Sequence, residues 1–114
     1  MSDPDLDRTF AALADPTRRG VIDLLRQRPR RAGELAEHFA MSPPAMSRHL
    51  RVLRSTGLVS EDVLDEDARV RVYSLRPERF TALRGWLDEV ESFWGLQLGA
   101  FKAHAERGTR KRRS

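Results

Sequence analysis

The stretch from Ser42 to Arg54 gathers the side chains of this chain best suited to meeting a polyanion. Ser47, Arg48, His49, Arg51 and Arg54 supply hydroxyl, guanidinium and imidazole donors, and no acid falls among them. A solvated helix face usually mixes both signs of charge, so the one-sided charge is the signal. A guanidinium is a planar fork of donors that fits phosphate oxygens and the guanine edge.

Other chemistry lacks its residues. There are no cysteines, which removes disulfides, thiolate metal sites and thiol redox sensing. His38, His49 and His104 are scattered, whereas a zinc site needs three or four ligands held together, so no metal and no other cofactor is expected. Ser47 and His49 lie two apart on a helix and point different ways. With neither a Gly-rich phosphate loop nor a nucleophile elbow, the chain does not read as an enzyme.

The bulk numbers agree with a polyanionic partner. The 114 residues carry a net charge of +4, and nearly all of the 21 basic residues are arginine. A hydrophobic share of 39% is low enough that a monomer is expected to pair with a copy of itself. No apolar run reaches the length of a membrane span and the first residues are acidic, so a cytoplasmic location and no membrane partner are expected. One domain is expected over residues 1–106, followed by a basic, disordered tail over 107–114.

The elements that must position the basic stretch follow from periodicity and caps. Residues 4–14 read as a short helix with Leu6, Phe10, Ala11, Leu13 and Ala14 in amphipathic spacing. Asp15-Pro16 opens a second helix with Val21, Ile22, Leu24 and Leu25 on its apolar face, and Pro29 ends it. Arg30 to Gly33 reads as a connection, and residues 34–40 as a short helix with Leu35, Ala36 and Phe39 inward. Ser42 is the N-cap of the next helix, Pro43 takes its first position, and Gly57 supplies the left-handed residue after an end near Ser55. Ala45, Met46, Leu50 and Leu53 would face the core. The period then changes to two, giving strands over 58–64 and 69–75 joined by the acidic tip Asp65 to Ala68. Pro77 starts a long, aromatic-rich helix. Two short helices, a tight turn and a hairpin make a mainly α fold with a β-hairpin wing, a winged helix-turn-helix.

Three segments resemble the ArsR/SmtB family of bacterial winged-helix repressors. They are Phe10 to Arg19 (FAALADPTRR), Gly33 to Glu37 with Met41 to Leu50, and Leu53 to Val59 leading into the wing. The resemblance implies a homodimeric DNA-binding repressor on a palindromic operator, often its own promoter, released by an inducer. Many metal-sensing relatives carry Cys-x-Cys where this chain has Arg31-Ala32-Gly33, and others a last-helix site of acids and histidines where it has Asp88, Glu89, Glu91 and a single His104, so the expectation is a metal-independent member.

In such a fold the second helix of the motif enters the major groove. Carried over by position, Ser42, Pro44, Ala45, Ser47, Arg48 and His49 are expected to face the groove, and Arg51 and Arg54 to hold the DNA backbone. The alternative for Arg48 and His49 is that they brace the dimer or the helix pair. Arg69 and Arg71 are expected to reach a minor-groove edge or flanking phosphates, although the acidic tip departs from the glycine and basic residues usual in the family's wing. Arg18 and Arg19 either reach phosphate or pair with Asp15 or Glu34 inside the domain, and the structural role is the one expected. Leu6 and Phe10 of the first helix, with Leu83, Trp86, Leu87, Val90, Phe93, Trp94, Leu98 and Phe101 of the last, are expected to form the twofold interface. The rival reading of that aromatic stripe is a pocket for an unidentified apolar inducer. Two other functions compete: a winged-helix protein-interaction module, and a non-specific DNA-binding protein driven by charge alone.

Overall fold

The computed structural model describes residues 3–64 and 67–108. The element order is α1 (Pro4–Leu13), α2 (Pro16–Leu25), β1 (Arg30–Arg31), α3 (Ala32–His38), α4 (Pro43–Ser55), β2 (Val59–Leu64), β3 (Asp67–Leu75) and α5 (Pro77–Gly108). The chain divides into two compact units, one up to Leu83 and one from Arg84.

Proline with a capping side chain in front of it starts three of the helices. Asp3 accepts from the amides of Asp5 and Leu6, Asp15 from those of Thr17 and Arg18, and Ser42 from that of Ala45. Each cap satisfies donors that the first turn leaves without a helical partner. On α1 the buried residues are Thr9 and Ala12, not the Leu6–Phe10 stripe that the apolar spacing picks out. The Thr9 hydroxyl is satisfied inside the helix by donating to the Asp5 carbonyl at 2.8 Å.

Val21 and Leu25 of α2, Leu35 and Ala36 of α3, and Met46, Leu50 and Leu53 of α4 form the core with Ala12. Leu58, Val59 and Tyr73 close it from the sheet side. Gly20 lets α2 and the end of α3 approach closely. A Cβ there would sit 2.7 Å from Phe39 Cε1.

The turn of the helix-turn-helix has a specific construction. The Met41 amide donates to the Ala36 carbonyl at 2.9 Å and the Ala40 amide to that of Glu37 at 3.1 Å. The end of α4 repeats it, Leu58 donating to Leu53 and Gly57 to Arg54, both at 3.0 Å. Both are Schellman closures, which place one residue in the left-handed region. That residue is Gly57 at φ 81° after α4, but Ala40 at φ 52° after α3. Helix α3 therefore ends at His38 rather than running to Ala40, and starts at Ala32 rather than Glu34.

Residues 30–31 are not a plain connection. They form β1 and pair with β3, Arg30 with Tyr73 and Arg31 with Val72, giving an antiparallel sheet of order β1-β3-β2. Between β2 and β3, Val59 lies opposite Leu75, Glu61 opposite Tyr73, and Val63 opposite Arg71. The register shifts after Val63, so that Leu64 pairs with Asp67. Helix α5 continues to Gly108, two residues past the expected domain limit. The rest of the expected tail, 109–114, and the wing-tip residues Asp65 and Glu66 lie outside the described residues, as do the side chains of Arg69, Leu98 and Phe101. No described helix is long and apolar enough to cross a membrane.

Candidate nucleic-acid interface

Helix α4 turns one face inward through Met46, Leu50 and Leu53 and leaves the other in solvent. Ser42, Pro44, Ser47, Arg48, Arg51 and Arg54 are exposed, and Ala45 and His49 are half-buried. Pro44, Ser47, Arg48 and Arg51 fall at i, i+3, i+4 and i+7, one stripe along the helix.

His49 lies off that stripe, where an arginine from α2 meets it. Arg18 Nε donates to the Ala12 carbonyl at 2.7 Å and Nη2 to that of Ala11 at 3.3 Å. Its Nη1 lies 3.2 Å from His49 Nδ1. A guanidinium only donates, so Nδ1 is the acceptor in this contact. His49 thus joins α4 to α2 through Arg18. Arg19 similarly donates to the Leu13 carbonyl at 2.8 Å. Both arginines do serve the structure, but among the described residues their guanidinium groups bind carbonyls and form no ion pair with Asp15 or Glu34. They occupy the last carbonyls of α1, where the helix leaves acceptors free and favours positive charge. The Asp15 carboxylate is taken up by the Arg18 and Thr17 amides, and Glu34 binds Arg28 at 2.5 Å and Arg30 at 3.0 Å. These contacts hold both carboxyls below their ordinary values: for Asp15 the Arg18 amide first, for Glu34 the Arg28 and Arg30 hydrogen bonds.

The sheet brings an acid to the basic face. Glu61 on β2 accepts from Arg54 of α4, from Arg71 Nη1 at 2.9 Å and from the Tyr73 hydroxyl at 2.8 Å. Its side chain is only 12% exposed, while Arg54 and Arg71 remain 49% and 53% exposed. Burial pushes the Glu61 carboxyl up. The hydrogen bonds from Tyr73 and Arg71 and the two guanidinium charges outweigh it and hold the group below the usual carboxylate value. Burial, then the Glu61 contact, pushes the Tyr73 phenol up to about 12. The cluster floors a cleft of about 290 Å³ whose lining includes Gly33, Ser47, Arg51, Arg54, Arg71 and Tyr73. Arg54, expected on the DNA backbone, and Arg71, expected at a minor-groove edge or flanking phosphates, are shared with a carboxylate. Sequence reasoning missed Glu61 because it lies outside the helix whose face looked free of acid.

On the last helix, Trp86, Leu87, Val90, Phe93 and Trp94 are exposed, and Leu83 is half-buried. Glu89, Val90, Phe93 and Trp94 line a shallow apolar cleft of about 400 Å³. On α1, Phe10 is exposed and Leu6 half-buried.

Residues 15–61, from the α2 cap to Glu61, match the model of the bacterial regulatory protein arsR family. The chain is also 44% identical over 96 residues to the HTH-type transcriptional regulator Rv2034 of Mycobacterium tuberculosis, covering 83% of each. The chain belongs to the ArsR family. This ArsR-family chain is similar as well to the transcriptional repressor SdpR of Bacillus subtilis, 41% identical over 56 residues, which cover 49% of the chain and 62% of that protein. Its fold is similar to the crystal structure of an ArsR family transcriptional regulator, RHA00566, with a TM-score of 0.73 and 36% identity over 80% of this chain and 97% of that one. The winged helix-turn-helix and the role in DNA-binding transcription regulation, rather than catalysis, follow from this membership.

Proposed function

We propose that this ArsR-family protein is a homodimeric, metal-independent repressor that binds a palindromic operator of its own or a neighbouring operon in the cytoplasm. The observation that carries the reading is the outward stripe of α4. Ser47, Arg48 and Arg51 are exposed there, and their side chains make no hydrogen bond or ion pair among the described residues. Arg48 addresses a base edge in the major groove, with Ser42, Pro44, Ala45 and Ser47 beside it. Arg51, Arg54 and Arg71 address the backbone, and Arg69 the wing contact. His49 supports α4 from behind through Arg18. Two such helices in a twofold dimer reach successive major grooves about 34–36 Å apart.

Dimerisation is supported by the exposed apolar face of α5, where Leu87, Val90, Phe93 and Trp94 stand in solvent within two turns of the helix. A second reading, an apolar inducer held at that seam, is favoured by the cleft at Val90, Phe93 and Trp94. Metal independence rests on the donor set. Arg31 is the N-cap of α3 and Ala32 and Gly33 its first residues, with no ligand atoms to offer, and the chain has no cysteine.

The test is binding of the purified protein to its own upstream DNA and to a scrambled duplex across a salt titration. A preference of about 10³-fold or more at physiological salt is expected. Arg48→Ala should lose about 1–3 kcal/mol of that discrimination with an unchanged melting temperature. Equal, salt-labile binding to both duplexes would favour a non-specific DNA-binding protein, and no binding to either a protein-interaction module.

A further inference from the structure

Glu61 carries the charge that a phosphate repels, yet it lies at the seam between the helix and the strand that the proposed function sends to DNA. The bland explanation is a stabilising ion pair. Two features exceed it. First, the stoichiometry is two cations to one anion, Arg54 and Arg71 against Glu61, with Tyr73 adding a neutral donor. The cluster therefore keeps one net positive charge instead of two. Second, the carboxylate is nearly buried while both guanidinium groups stay about half in solvent. A guanidinium has five N–H donors, so Arg54 and Arg71 can keep Glu61 and still present donors outward. Arg51 lines the same cleft and has no acid on it among the described residues.

We infer that Glu61 meters the positive charge of the DNA-facing surface and positions Arg54 and Arg71 on it. The inference rests on the DNA-binding reading above. Affinity for any duplex grows with the number of phosphates neutralised, and that part of binding carries no sequence information. Cancelling one of two charges lowers the attraction to arbitrary DNA. Holding both forks in fixed directions preserves their contacts with a duplex that fits the groove. Tyr73 is a positioning residue in this arrangement. Its hydroxyl keeps the carboxylate partnered, and Tyr73 lies directly opposite Glu61 in the sheet.

The experiment uses the full chain with its upstream DNA and a scrambled duplex of equal length, each titrated with salt. Glu61→Gln keeps the size and an accepting oxygen but removes the charge. On both duplexes the slope of log affinity against log salt should steepen by about one, an extra loss of about 3.5-fold between about 50 and 200 mM salt. The ratio of upstream to scrambled affinity should fall. Tyr73→Phe changes no charge and should leave the slope as in the parent while lowering the ratio. An unchanged slope in folded Glu61→Gln overturns the inference.

Should Glu61→Gln not fold, the double variant Glu61→Gln, Arg71→Gln decides. It restores the parental net charge of the cluster. Metering requires its slope to match the parent, whereas a slope equal to that of Arg71→Gln alone refutes it. Equal affinity of the parent for both duplexes would remove the operator reading but leave the slope test intact. No binding to any duplex overturns both.

Discussion

Four ionisable side chains tie local geometry to pH. Asp15, Glu34 and Glu61 have folded pKa values below their ordinary 3.8 and 4.5, so the folded state holds fewer of their protons than the unfolded chain in acid. Their stabilisation is complete above those ordinary values and is lost as pH falls through the depressed folded values. Tyr73 runs the other way. Raised from 10.0 to about 12, its proton is kept by the folded state, so its contribution is present below 10 and disappears as pH climbs toward 12. Urea midpoints should therefore decline on both sides of neutrality. Glu61→Gln should flatten the acid limb and Tyr73→Phe the alkaline one, and parallel profiles for parent and variants would show that these groups do not govern it.

At the scale of the elements, two identical backbone closures carry different residues. Gly57 occupies the left-handed position after α4 with no strain, while Ala40 does so after α3 with a Cβ that costs about 1–2 kcal/mol. Gly57→Ala should lose about 1 kcal/mol in urea unfolding, and Ala40→Gly should gain up to about 1 kcal/mol, the added unfolded-state entropy of glycine offsetting part of the relief. Equal and opposite assignments, a loss at 40 and no change at 57, would contradict the strain argument. The same contrast explains what was legible in the sequence. Both ends of α4 could be read because Ser42, Pro43 and Gly57 are residue types that announce caps. The end of α3 could not, because alanine announces nothing. β1 was invisible because a strand of two residues has no periodicity, and β3 supplies its partner from far along the chain. The stripe of Ser47, Arg48 and Arg51 was legible from helical spacing alone. Glu61 was not, because its place depends on strand register. A hairpin tip over Asp65 to Ala68 would set Glu61 opposite Val72, and the observed register sets it opposite Tyr73. A shift of one residue moves a side chain to the other face of a sheet.

For the whole molecule, the low hydrophobic share has a counterpart in where the aromatics lie. Phe93 and Trp94 are 66% and 58% exposed in the single chain. A homodimer that covers them should dissociate on Trp94→Glu, seen as a halved mass in sedimentation, and operator affinity should fall because two half-sites are no longer engaged together. The unit up to Leu83 has its own core, so its secondary structure by circular dichroism should persist. A parent that sediments as a monomer, or a variant that remains a dimer, would count against this interface.

The sheet order has a consequence for solubility. With β3 in the centre, β2 is an outer strand whose far edge has no backbone partner among the described residues. Free amides and carbonyls along such an edge recruit strands from other copies, the first step of aggregation. Here the edge carries Glu61 and Asp62 in succession before the exposed Val63. Glu61 is taken up by Arg54 and Arg71, so the exposed Asp62 is the acid that a second β2 laid alongside would meet, and like charges there oppose pairing. The neighbour of the acid that restrains the arginine face thus guards the strand both sit on against templating other copies.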